Sequence, residues 1–174
     1  MALTDFRGQY VVLLFYPSDF TSICPTEVTQ FSDRVKDFER INCQILACSI
    51  DSKYSHREWT MKQRKNGGIG KVGFPLISDL KKEISHKYGC LIENSQSKYN
   101  GAALRATYII DPNGILRHVT INDMQVGRSP SEALRIVQAF SHSDMFGEVC
   151  PASWKPGQMT MMEDVTNFKN VKYF

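Results

Sequence analysis

Short continuous apolar runs alternate with helical spacing along the chain. Tyr10 to Tyr16 (YVVLLFY) is unbroken and β-rich, the pattern of a strand buried on both faces, and Pro17 stops it. After a loop over Ser18 to Thr21, Val28, Phe31, Val35 and Phe38 recur at spacings of 3, 4 and 3, which predicts one amphipathic helix. Pro25 sits in its first turn, where proline is tolerated. Gln44 to Ile50 predicts a second buried strand, ended by Asp51-Ser52, and Lys53 to Lys65 a polar helix carrying His56 and Trp59 as surface and packing residues. The run Asn66-Gly67-Gly68-Ile69-Gly70 breaks that helix. Phe74 to Ile77 predicts a short strand and Leu80 to Tyr88 a short helix ended by Gly89. Ala102 to Ile110, the turn Asp111-Pro112-Asn113-Gly114 and Ile115 to Ile121 predict a hairpin. A helix begins at Ser129-Pro130-Ser131-Glu132, with Leu134, Val137 and Phe140 on one face. Beyond Gly147 the periodicity is lost, and an extended tail outside the core is expected.

The order β-α-β-α-β-α-β-β-α with a tail predicts a three-layer α/β fold around a mixed sheet. With 174 residues the chain can bury one sizeable core without a disulfide framework. A net charge of +3, in no long block, does not point to nucleic acid. The longest apolar run, seven residues, is far short of the about 20 a spanning helix needs, so no membrane association is expected. No secretory signal and no Asn-x-Ser/Thr sequon is visible, so a cytoplasmic protein is expected.

The five cysteines are Cys24, Cys43, Cys48, Cys90 and Cys150. The odd number argues against a fully paired scaffold, and the absence of C-x-x-C argues against a zinc ribbon or a thioredoxin-type dithiol. Four scattered histidines give no metal-binding pattern, so neither metal nor cofactor is expected. Cys24 falls in the first turn of the predicted helix, where unpaired N–H groups and the helix dipole favour an anion and a thiol becomes a nucleophile. A small buried residue at a helix start is the competing reading, and on position alone the two weigh equally.

The neighbours of Cys24 shift that balance. Pro17, Thr21 and Cys24 form Pro-x-x-x-Thr-x-x-Cys, followed by Pro25-Thr26-Glu27. This resembles the peroxidatic motif of the peroxiredoxins, in their typical 2-Cys class. Further family features recur in order: Asp51-Ser52, Gly67-Gly68-Ile69-Gly70, Leu104-Arg105, Asp111-Pro112-Asn113-Gly114, Val126-Gly127-Arg128, Gly147-Glu148-Val149-Cys150-Pro151, Trp154-Lys155-Pro156-Gly157 and the terminal Tyr173-Phe174. The resemblance spans essentially the whole chain.

It implies a thioredoxin-like fold over residues 1–140 and a C-terminal extension over residues 141–174. Members carry a further strand-bearing segment ahead of the position of Met1, absent from this sequence. Ile69 stands where their glycine motif usually has leucine, a volume-conserving change. Cys24 is then the peroxidatic cysteine, attacking the peroxide O–O bond and becoming a sulfenic acid. Thr21 supplies a hydroxyl, Pro17 shields the pocket, and Arg105 stabilises the thiolate and the leaving oxygen. Glu27 and Arg128 orient Arg105. Cys150 is the resolving cysteine, supplied by the partner subunit of a homodimer, and the resemblance extends to a decamer of such dimers. Thioredoxin is the expected reductant. Cys43, Cys48 and Cys90 match no catalytic position and are read as packing residues. Tyr173-Phe174 and the Gly67 to Gly70 motif resemble segments that in the family pack the tail over the active-site helix. A redox-linked holdase that binds unfolded clients is the alternative of a different class; a disulfide reductase is opposed by the lack of C-x-x-C.

Overall fold

The apolar run at Tyr10 becomes β1 (Tyr10–Phe15), every residue of which is buried. It pairs in parallel with β2 (Cys43–Ser49), which pairs in parallel with β3 (Leu76–Ser78). On its other side β1 pairs antiparallel with β4 (Arg105–Ile110), and β4 with β5 (Leu116–Asn122). The five-stranded mixed sheet has the order β3-β2-β1-β4-β5. The computed structural model describes residues 1–162. The chain divides into two compact units, Met1–Pro130 and a second from Ser131 onward.

β2, β1 and β4 are the interior strands, and the alternation along β1 and β4 sends two sets of side chains to opposite faces. Val11, Leu13 and Phe15 join Ala106, Tyr108 and Ile110 in one core cluster, completed by Leu46, Cys48, Cys90 and Ala103. The intervening residues of β4, Arg105, Thr107 and Ile109, therefore lie on the other face. α1 (Cys24–Asp33) carries Cys24, Glu27, Val28 and Phe31 as its buried residues. Their spacing of 3, 1 and 3 is one helical stripe. The stripe that anchors the helix thus also holds a thiol and a carboxylate in the interior.

The single helix expected through Phe38 is two. Arg34, at φ −108° and ψ 9°, separates α1 from α2 (Val35–Glu39). Phe31 and Phe38 still meet, their ring centroids 6.1 Å apart. α3 (Lys53–Met61) is shorter than predicted, capped by the Ser52 hydroxyl accepting from the Ser55 N–H. The glycine motif follows it and folds back: Ile69 N–H donates to Trp59 O, Trp59 Nε1–H to Gly67 O, and Ile69 is fully buried. A short helix, α4 (Glu83–Lys87), follows β3.

In the second unit, α5 (Pro130–Phe146) buries Leu134 and Val137, while Phe140 is half-buried. The segment after Gly147 corrects the expectation of an extended tail. β6 (Glu148–Val149) pairs antiparallel with β7 (Met161–Met162). Between them Trp154 is buried, its ring 5.0 Å from that of His142, its Nε1–H donating to Gln158 O and its own carbonyl accepting from Arg135. The loss of periodicity marked irregular backbone, not exposure. Tyr173 and Phe174 lie outside the described residues.

Gly68 shows how closely the motif packs: a Cβ there would stand 2.0 Å from the Lys62 carbonyl oxygen, a backbone atom with no room to move. Gly68→Ala should therefore cost about 2 kcal/mol or more, measured by urea unfolding. Gly8→Ala, where nothing lies within 4 Å and only the positive φ opposes a side chain, should cost about 1 kcal/mol. Equal costs would show that the Lys62 contact gives way.

Candidate active site

Cys24 opens α1 and is fully buried. Its Sγ lies 3.3 Å from Nη1 of Arg105, which donates to it. The same Nη1 donates to Glu27 Oε2 at 2.7 Å, and Arg105 Nε donates to Met124 O at 2.8 Å. One turn along the helix, Glu27 is held a second time. Arg128 donates to Glu27 Oε1 through its backbone N–H at 2.9 Å and Nε at 2.7 Å, and its Nη2 donates to Oε2 at 3.2 Å. Arg128 Nη1 donates to Ala106 O on β4. Glu27 is 2% exposed, Arg105 4% and Arg128 9%.

Charge counting gives this cluster its meaning. Two guanidinium groups and one carboxylate leave one positive charge uncompensated in the interior. A buried charge without a counter-ion is costly, and breaking a buried pair typically costs 3–5 kcal/mol, as an order of magnitude. The Cys24 sulfur touches Arg105 and can carry the missing negative charge. Among the described residues no other thiol accepts a hydrogen bond from a guanidinium; Arg128 acts on Cys90 and Arg135 on Cys150 only through charge, and burial outweighs both. Burial pushes Cys43 up to about 12 and Cys90 up to about 11, and it raises Cys48 further still. Cys150, in the second unit, is raised by burial and then by Glu148; its Sγ–H faces Ala139 O at 3.6 Å. All five cysteines are free thiols.

Pro17 is buried and Thr21 exposed in the loop before α1. Both line a cleft of about 410 Å³ together with Arg105. The Thr21 hydroxyl donates back to Ser18 O at 3.1 Å, and the helix N-cap is Ile23, with no side-chain cap, so Thr21 does not cap the helix. The structure thus joins Cys24, Glu27, Arg105 and Arg128 in one buried cluster, and Arg105 alone connects that cluster to the cleft lined by Pro17 and Thr21, which the fully buried Cys24 does not line; Cys150 belongs to the second unit.

The loop itself is pinned by a buried network that its sequence does not announce. Asp19 accepts from the Tyr16 hydroxyl at 2.9 Å and from the Ser55 hydroxyl at 2.8 Å, and pairs with His56 Nδ1 at 2.8 Å. The Asp19 N–H donates to Asp51 Oδ2, which also accepts from Ser49. His56 is 5% exposed, which corrects its reading as a surface residue. Its Nε2 faces Ile77 O at 3.2 Å, so both ring nitrogens point at acceptors and the doubly protonated ring satisfies both. Burial alone pulls His56 down, but the hydrogen bond and charge of Asp19, with Ile77 O and Asp51, outweigh it and the net shift is upward. Burial and Asp19 hold the Tyr16 hydroxyl protonated, well above its ordinary value. The Asp51-Ser52 pair after a strand was the one sequence signal near this network.

The AhpC/TSA family profile matches residues 1–119, and that of the C-terminal domain of 1-Cys peroxiredoxin matches residues 139–170. A peroxiredoxin of Cynops pyrrhogaster is 52% identical over 99% of the chain and 82% of that protein. The human mitochondrial thioredoxin-dependent peroxide reductase is 50% identical over 92% of the chain and 61% of that protein. The chain thus spans most of the newt protein but under two thirds of the human one. Among solved structures, the reduced 2-Cys peroxiredoxin of Plasmodium vivax superposes with a TM-score of 0.85 at 42% identity, covering 91% of this chain and 79% of that one.

The His56 pair makes a pH prediction. A histidine raised in the folded state contributes stability that is complete below its unfolded value, about 6.5, and is lost as pH rises through the folded value. The stability gap between the native chain and His56→Gln, from urea unfolding, should be largest near pH 6 and shrink toward pH 9. A gap constant across that range would show that His56 does not titrate with folding.

Proposed function

The chain belongs to the AhpC/TSA family of peroxiredoxins, and from that premise we propose that it is a thiol-dependent peroxidase whose nucleophile is Cys24. The observation that carries the reading is the Arg105 guanidinium bonded to the Cys24 sulfur inside a buried cluster one negative charge short. The sulfur attacks the terminal peroxide oxygen. A lone pair of sulfur forms the S–O bond, the O–O bond breaks, and the leaving alkoxide or hydroxide takes a proton. Cysteine is oxidised to sulfenic acid, and the peroxide is reduced to an alcohol or water. Arg105 also lines the cleft, so an arriving peroxide meets a fixed forked donor where charge develops on the leaving oxygen. Glu27 and Arg128 act through Arg105: they hold the fork and touch no reacting atom. Pro17 and Thr21 wall the entrance and limit water.

Cys150 resolves the sulfenic acid. Its thiol displaces hydroxide from the Cys24 sulfur, giving a disulfide and water, and a thioredoxin dithiol then returns both cysteines to thiols. We assign the Cys150 in this step to a second copy of the chain. The free edge of the sheet supports a homodimer: β5 has no partner on its outer side among the described strands and exposes Leu116, Val119 and Ile121. A decamer of dimers is the larger assembly that would follow.

Cys24→Ser should abolish peroxide consumption, since serine is not ionised near pH 7. Cys150→Ser should complete one oxidation of Cys24 and then stall with thioredoxin. Peroxide-treated native protein should run at twice the chain mass on a non-reducing gel, with Cys24 mapped to Cys150. A Cys24–Cys150 disulfide within a single chain would overturn the intersubunit step, and turnover in Cys24→Ser would overturn the assignment of the nucleophile.

A further inference from the structure

The cleft beside Arg105 is larger and more basic than hydrogen peroxide requires. One wall is the loop of Pro17 and Thr21; the other is built by Lys82 and the segment Lys98 to Ala102. That segment is pinched at its base, where Ile92 N–H donates to Ala102 O at 2.9 Å and Gly101 N–H to Ile92 O at 2.7 Å. Turns within it fix its tip: Ser97 N–H donates to Asn94 O, Asn100 N–H to Ser97 O, and Ala102 N–H to Tyr99 O. Lys98 and Tyr99 are thereby set on the cleft, with Lys98 Nζ 4.9 Å from the centre of the Tyr99 ring.

Lys82 reaches the same wall from the start of α4. Its backbone is left-handed, at φ 63°, and its N–H donates to Asp79 O at 2.7 Å. Its ammonium lies against Gly101: a Cβ there would come within 2.5 Å of Nζ, so the absent side chain is what lets the lysine cross. Neither lysine forms an ion pair among the described residues, and no acidic side chain lines the cleft. The lining also includes the apolar side chains of Ile23, Ile50, Ala102 and Met124, beside neutral polar ones such as Ser22 and Gln125. A partly apolar cleft whose charged lining is all of one sign concentrates ligands of opposite charge.

We propose that this cleft selects anionic organic hydroperoxides, seating the apolar body on Ile50 and Met124 and the carboxylate on Lys82 and Lys98 while the hydroperoxyl group lies at Arg105, the cleft residue whose guanidinium holds the Cys24 sulfur. The proposal rests on the peroxidase reading and names a substrate class for it. The transfer is unchanged: the sulfur takes the terminal oxygen, the O–O bond breaks, and the alkoxide is protonated to an alcohol. Lys82 and Lys98 are specificity residues that bind the far end of the substrate and touch no reacting atom.

The test uses two hydroperoxides of one shape, cumene hydroperoxide and its para-carboxylate derivative, with rates of Cys24 oxidation read by rapid quench and mass spectrometry. At low ionic strength the native chain should oxidise roughly tenfold faster with the carboxylate than with the neutral compound. In Lys82→Gln/Lys98→Gln the ratio should fall to within twofold of unity, and 0.5 M NaCl should compress it in the native chain. The ratio is taken within each protein, so a general loss of reactivity cancels. A ratio of unity or below in the native chain, or one unchanged in the double variant, would overturn the proposal. Hydrogen peroxide is run alongside: oxidation of Cys24 by it with no carboxylate preference would sink the substrate class alone, whereas no oxidation of folded protein by any of the three would sink the peroxidase reading with it.

Discussion

An uncompensated positive charge inside the protein is the constraint on which the site depends. Arg105 and Arg128 share one carboxylate, Glu27, and all three are buried. The Cys24 sulfur stands against the guanidinium that lies nearer the cleft. In water such a contact would be weak, because surface ion pairs contribute little. Inside, the absence of competing solvent makes the same contact decide which atom carries negative charge. Catalytic chemistry and interior electrostatics therefore place the same demand on one atom.

The fold supplies this geometry through elements that would exist without it. α1 buries a stripe for packing, and two of its four buried positions are Cys24 and Glu27 instead of apolar residues. β4 is an interior strand whose alternation puts Arg105 on the face opposite the main apolar cluster. Arg128 follows β5 and returns to the same carboxylate through backbone and side chain together. Separately, Asp19 and His56 tie the loop before the helix to the turn after β2, to α3 and to β3. One buried polar network holds the reactive sulfur and a second pins the loop before its helix, each a point where a single substitution strands a charge.

Much of this was legible in the residues. Continuous apolar runs located β1, β2 and β4, and the motif and family features named Pro17, Thr21, Glu27, Arg105 and Arg128, of which the structure sets Glu27, Arg105 and Arg128 in one buried cluster with the Cys24 thiol and Pro17 and Thr21 on the cleft that Arg105 also lines. The break at Arg34 was not legible, because Val28, Phe31, Val35 and Phe38 keep helical spacing across a residue whose backbone leaves the helix. His56 was misread because its partner stands 37 positions earlier in a loop, and no local periodicity reports a buried ion pair. Trp154 was misread for a related reason: irregular backbone erased the pattern while neighbouring rings buried the side chain. Lys82 and Lys98 carry no sequence signal at all, since loop closure alone brings them to the cleft.

The central claim is that the Arg105 contact selects Cys24 among five thiols. It is tested most directly by adding one equivalent of hydrogen peroxide to the reduced chain with dimedone present, and mapping the sulfenic acid adduct over all five cysteines by mass spectrometry. The same measurement is made on Arg105→Met. The native chain should carry the adduct on Cys24, and the variant should form it roughly 100-fold more slowly, the loss typical of removing a fixed charge-stabilising donor. An adduct on Cys43, Cys48 or Cys90 in the native chain, or an undiminished rate at Cys24 in the variant, would contradict the account.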